Sequence, residues 1–112
     1  MKTIYAVVGK EAYEKIAESL AAIGVVGITA TECMKYEADT RNDTIANDSA
    51  SKLNSLQKVE LEVVVHDDRV LDVTKVIELI ARADPGSDGK VLVKVMEDAI
   101  RIRDGRHGDE VL

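Results

Sequence analysis

Gln57-Lys58-Val59-Glu60-Leu61-Glu62-Val63-Val64-Val65-His66 alternates apolar and polar side chains with hardly a break. In an extended chain a period of two sends Val59, Leu61, Val63 and Val65 to one side and Lys58, Glu60, Glu62 and His66 to the other. The stretch predicts a β-strand with one face in a core and one toward solvent, so the fold needs apolar elements to cover a sheet on one side.

Working outward, the neighbouring segments supply that cover. Toward the N-terminus, residues 2–8 (KTIYAVV) form a short β-rich run. Residues 11–23 then switch to helical spacing, with Ala12, Ile16, Leu20 and Ile23 recurring every three or four positions. Gly24 follows, as expected just past a helix end, and residues 25–34 (VVGITATECM) return to strand character. Toward the C-terminus, Asp67 or Asp68 is placed to cap a second helix, whose stripe is Val70, Val73, Ile77 and Ile80. Residues 83–89 (ADPGSDG) are turn-rich, and residues 91–96 (VLVKVM) and 99–103 (AIRIR) predict two final strands. The order is that of an α+β, ferredoxin-like domain: βαββαβ plus a C-terminal strand, an antiparallel sheet with two helices on one face. That fold carries many unrelated activities and licenses none of them.

Between the strands at 25–34 and 57–66 lies a segment without an apolar stripe. Residues 35–55 are crowded with Asp, Asn, Ser and Thr, and Ile45 and Leu53 are the large aliphatics before Ser55. Such residues favour turns over helix interiors, so the segment predicts a long loop of the kind that usually carries function.

Bulk properties narrow the possibilities. The 112 residues suit one domain. Trp and Phe are absent and Tyr5, Tyr13 and Tyr36 are the aromatics, so the core must be aliphatic. A domain this small gains by burying surface in an oligomer. The net charge of −6 argues against nucleic acid as a direct partner, because a phosphate backbone demands a basic face. Cys33 stands alone, so no intrachain disulfide is possible. The first residues lack the apolar core of a signal peptide, and no stretch has the length of a membrane span. The expectation is a cytoplasmic protein without membrane insertion.

Against this acidic background the last third concentrates positive charge. Lys90 ends a glycine-bearing loop whose backbone amides can turn toward an anion. Arg101 and Arg103 sit two apart on the strand expected at 99–103, which would put both guanidinium groups on one face. Arginine forks grip phosphate oxygens bidentately and lysine acts as a mobile point charge, so the three cations suit a polyphosphate. An edge strand whose arginines pair with surface acids fits the same spacing. His66 and His107 lack metal-ligand spacing, so no metal site is expected. No catalytic constellation can be assembled either.

GITATE (27–32), LQKVELEVVVHDD (56–68), SDGKVLV (87–93) and IRIRDG (100–105) together give the chain a resemblance to the PII signal-transduction proteins, along nearly its whole length. The resemblance implies a single PII-like domain over 1–112, assembled as a homotrimer that binds ATP, ADP or AMP between subunits. Residues 83–90 match the nucleotide-binding loop, 35–55 the partner-docking T-loop and 105–112 a flexible tail. Lys90, Arg101 and Arg103 match the phosphate-holding residues. Ser87, Asp88 and Gly89 match the loop that approaches the ligand, and Thr29 and Val64 the adenine and ribose pocket. Ser87 stands where the family usually has glycine, which suits serine only if its φ is negative.

In the T-loop, Glu37 and Arg41 replace usual glycines, Ala38 an arginine that often touches the phosphates, and Ser51 the tyrosine some members have modified. Asp39 replaces the glutamine that ligates Mg2+ with ATP and 2-oxoglutarate, while Lys58, which pairs with the 2-oxoglutarate carboxylate, is kept. Asp39 and Lys58 thus mark a second effector site. Carboxylate oxygen suits Mg2+, yet at about 4 Å and an effective dielectric of about 20 each like-charge contact with a dianion costs on the order of a few kcal/mol. Bicarbonate, as in the carboxysome-associated PII-like proteins, brings less charge. The implied function is regulation of a membrane transporter or metabolic enzyme through the T-loop. The alternative is a nitrogen-regulatory PII protein sensing ATP/ADP and 2-oxoglutarate. A hydrolase of acyl phosphates or of ATP would need a positioned water or nucleophile, and a metal-tolerance trimer of similar fold would need His, Cys or Met at the clefts.

Overall fold

The protein is described by a computed structural model covering residues 1–38, 53–87 and 89–112, with the backbone alone for 36–38 and 53–56. Strand β1 (Lys2–Val8) leads into helix α1 (Lys10–Ala22), followed by β2 (Thr29–Ala38) and β3 (Leu53–Val65). A single 3-10 turn (Asp67–Arg69) then opens helix α2 (Val70–Arg82), and β4 (Val91–Val95) completes the sheet. The strands lie in the order β2-β3-β1-β4, every neighbouring pair antiparallel. This is the expected ferredoxin-like α+β arrangement, with both helices on one face.

The core follows from the two periodicities. Ile4, Ala6 and Val8 of β1 lie beside Val63, Leu61 and Val59 of β3 in register. All six are buried, together with Ala12, Ile16 and Leu20 of α1 and Val73 and Ile77 of α2. Helix α1 ends as a Schellman motif: Val25 N–H donates to Leu20 O (3.0 Å) and Gly24 N–H to Ala21 O (3.1 Å), with Gly24 at φ +90°.

Four local expectations differ from what forms. Neither Asp67 nor Asp68 caps α2, whose N-cap is Arg69 without a side-chain cap bond. Asp67 instead accepts from the Met1 ammonium and from Lys2 Nζ (2.9 Å), which hold its carboxyl down at about 2. Residues 99–103 do not join the sheet. Arg101 N–H donates to Arg106 O and Gly105 N–H to Arg101 O, both at 2.8 Å, closing the chain on itself with Gly105 at φ +73°. One isolated bridge, Ile100 to His107, is what remains of extended pairing there.

The β2–β3 ladder also runs further than side-chain patterning suggests. Pairing continues to Ala38 opposite Leu53, inside the segment read as a loop, because backbone hydrogen bonds need no apolar face. Residues 39–52 lie outside the described residues, and with them Asp39, Arg41 and Ser51. Finally, Lys58 does not face solvent. It is 3% exposed, and its Nζ donates to the Gly86 carbonyl of the loop before β4.

Candidate anion site at the loop before β4

The loop from Ala83 to Lys90 is shaped by its own acid and by the two ends it touches. Pro85 fixes one φ, and Asp84 folds the chain over itself. Its Oδ1 accepts from Gly86 N–H (3.0 Å), its Oδ2 accepts from the Ser87 hydroxyl (3.0 Å), and its carbonyl accepts from Ser87 N–H (3.0 Å). The Gly86 amide, then the Ser87 hydroxyl, the Ala12 amide and the charge of Lys58, hold the Asp84 carboxyl below its usual range against an opposing effect of burial. Ala12 lies in the first turn of α1, a helix whose N-cap, Gly9, makes no side-chain cap bond. Asp84 therefore places a negative charge where the helix dipole favours one.

Beyond this tied section the loop opens toward a cleft. Gly89 adopts φ +98°, and among the described residues no non-glycine residue has a positive φ, Ser87 included. Serine thus fits without backbone strain. The Lys35 ammonium comes within 3.5 Å of where a Gly89 side chain would begin. Ser87, Gly89 and Lys90, with Val7, Val8 and Val91 and the α2 face at Thr74, Ile77 and Ala81, line a cleft of about 440 Å³. The chemistry on offer suits an anion: a glycine at positive φ, the Lys35 ammonium beside it, and Lys90 lining the same cleft.

The remaining predicted site residues lie elsewhere on the chain. Thr29 and Val64 share a second cleft of about 450 Å³, lined also by Ile28, Glu62, His66, Arg69 and the chain's Val111 and Leu112. Arg101 and Arg103 line neither cleft. Arg101 Nη1 sits 3.0 Å from Asp104 Oδ2 in its own turn, and Arg103 is exposed. Because 99–103 is not a strand, the alternation argument for a shared arginine face does not apply. Asp88 and Asp39 lie outside the described residues. Among the described residues no cluster of three or more His, Cys, Asp or Glu side chains could hold a metal ion, and no helix is long and apolar enough to cross a membrane.

Lys35 is the contributor that sequence reasoning missed. It stood at the margin of a segment read as loop, with no motif around it. Continuing the β2–β3 register through Lys35 opposite Leu56 would have kept it on a strand and pointed to it.

Comparisons with known proteins bear on the family and the fold. The family model for nitrogen regulatory protein P-II matches residues 1–106. A nitrogen regulatory protein P-II from Cereibacter sphaeroides is 32% identical over 112 residues, the whole of both chains. The nitrogen regulatory protein GlnK of Escherichia coli K12 is 27% identical over the same full length. Among solved structures, Arabidopsis thaliana PII bound to citrate superposes with a TM-score of 0.75 at 26% identity, over 97% of this chain and 89% of that one. Matched from its first strand to the C-terminal turn, and end to end by relatives named as regulators, this chain belongs to the nitrogen regulatory protein P-II family and is a signalling protein of that family.

Proposed function

We propose that the chain is an adenine-nucleotide sensor that works as a homotrimer, with the phosphates of ATP, ADP or AMP seated at the Ser87–Lys90 loop. The carrying observation is that loop itself, where Gly89 at φ +98° stands beside the Lys35 ammonium and Lys90 lines the same cleft. The division of the matching residues supports a site shared between copies: Ser87, Gly89 and Lys90 at one cleft, Thr29 and Val64 at another, Arg101 and Arg103 on an outlying turn. Two copies that set one chain's loop against the other's Thr29–Val64 cleft and arginine turn would assemble all of them around one ligand.

Exposed apolar surface supports the assembly. β4 is an edge strand on which Leu92, Val93 and Val95 are exposed, as are Ile100 and Ile102 of the following turn, Ile102 almost fully. A bare apolar edge favours association.

Regulation follows if the protein's affinity for a partner, a transporter or a metabolic enzyme, differs between its ligand-bound and ligand-free states. As second effector we favour bicarbonate over 2-oxoglutarate, since Glu37 and Asp39 add negative charge. Mg2+ at Asp39 belongs to the same proposal.

Calorimetry of the purified protein with each adenine nucleotide, alone and with bicarbonate or 2-oxoglutarate, tests this reading. The expected result is adenylate binding, with little or no tightening by Mg-ATP plus 2-oxoglutarate. A protein that ignores all three nucleotides, or that sediments as a monomer, would sink the proposal.

A further inference from the structure

We infer that Ser87 and Asp84 form a latch that fastens the candidate phosphate loop to the start of α1, and that Ser87 is a positioning residue for the ligand. The inference deepens the nucleotide reading and rests on it for the ligand half.

Three hydrogen bonds and one close approach make the latch. Gly9 N–H donates to Ser87 Oγ (2.8 Å), and the same hydroxyl donates its proton to Asp84 Oδ2 (3.0 Å). Asp84 Oδ1 accepts from Gly86 N–H (3.0 Å). The serine hydroxyl is therefore used in both directions, accepting from the β1–α1 junction and donating into its own loop. Gly9 is buried, and a Cβ there would meet Asp84 Oδ2 at 2.6 Å and the Gly86 backbone at 3.3 Å. The two chain segments thus approach closely, and a side chain at position 9 would press on the Asp84 carboxylate and crowd the Gly86 backbone. On the other side Lys58 Nζ holds the Gly86 carbonyl.

A residue without a hydroxyl at position 87 leaves the Gly9 amide and one Asp84 oxygen without this shared partner. The loop ahead of Gly89 then samples more conformations, and ligand binding has to order it. Rigidity in the bound shape raises affinity by removing that ordering cost. The hydroxyl at 87 accordingly does for this loop what no glycine at that position could do.

The experiment compares wild type, Ser87→Ala and Ser87→Thr by amide hydrogen exchange and by calorimetry with ADP and ATP. In Ser87→Ala, exchange at the Gly9 and Gly86 amides should quicken about fivefold and adenylate affinity fall by a similar factor, as for a lost hydrogen bond. Ser87→Thr keeps the hydroxyl and should recover most of both. Asp84→Asn, which keeps one acceptor oxygen, should fall between. Unchanged affinity in a folded Ser87→Ala protein overturns the positioning role, and unchanged exchange overturns the latch. A wild type indifferent to adenylates overturns the parent reading and the ligand half with it, while the exchange arm still decides the latch.

Discussion

The loop that leads into β4 is held from outside itself, whereas the turn that follows β4 is held from within. Residues 84–87 are fastened to Gly9 at the head of α1 and to Lys58 on β3. Residues 98–108 close on their own acids. Asp98 Oδ1 accepts from the Ala99 and Gly108 amides, Asp98 Oδ2 meets His107 at 3.3 Å, and Asp104 holds Arg101 and the Arg106 amide. Both regions carry cations. The first has its geometry set by the core beneath it, and the second is a self-contained unit that exposes Ile102 and Arg103 and ties Arg101 to Asp104. A turn of that kind keeps its shape while it docks on another surface.

The largest expected effect tests what both regions are for. Lys90→Ala and Arg101→Ala should each weaken adenylate binding about tenfold or more, the usual effect of removing a charge-assisted bond, with circular dichroism unchanged. Loss in one variant alone would break the idea that the two regions serve one ligand.

Next comes Gly9→Ala, which drives a methyl into Asp84 and the Gly86 backbone. It should destabilise the fold by about 1–3 kcal/mol in urea titrations, and the same change at exposed Gly27, where an added carbon meets nothing within 4 Å, should not. A Gly9→Ala protein as stable as wild type would mean the junction is not tight.

The pH dependence sharpens the contrast further. Asp84 has a depressed folded pKa, so its contribution is present above the ordinary carboxylate range and is lost as pH falls through the folded value. Asp84→Asn should flatten that part of the acid limb in pH-dependent melting, and an acid limb unaltered by the substitution would count against the carboxylate as a tie. The smallest effect belongs to Asp104→Ala. The Arg101–Asp104 pair is about one-third exposed on each side, so global stability should change by less than about 1 kcal/mol, with the difference confined to amide exchange at Arg106.

Much of this architecture was legible before any coordinates. Val59 to Val65 declared a strand by alternation, Ala12-Ile16-Leu20 and Val73-Ile77 declared helices by their spacing, and Gly24 marked a helix end. Each signal is local, because burial on one face imposes a period that the chain repeats. The same local reasoning put 99–103 on a strand, since Ile100 and Ile102 alternate with Arg101 and Arg103. A strand, however, needs an edge to pair with, and the Arg101–Arg106 and Arg101–Gly105 bonds close the segment first.

The candidate site divides along the same line. Lys90 at the end of a glycine-bearing loop could be picked out from type and order, Ser87 only through the family resemblance, and Ser87, Gly89 and Lys90 line one cleft. That Lys58 is buried beneath Gly86, that Lys35 reaches Gly89 and that Ser87 fastens to Gly9 depends on segments dozens of residues apart meeting at one end of the sheet. Composition and periodicity determined which face of each element is apolar, and so the order and layering of the domain. Where a polar side chain finds its partner was decided by the packed structure alone, because a hydrogen bond is directional and short-ranged and sequence spacing fixes neither direction nor distance across the fold.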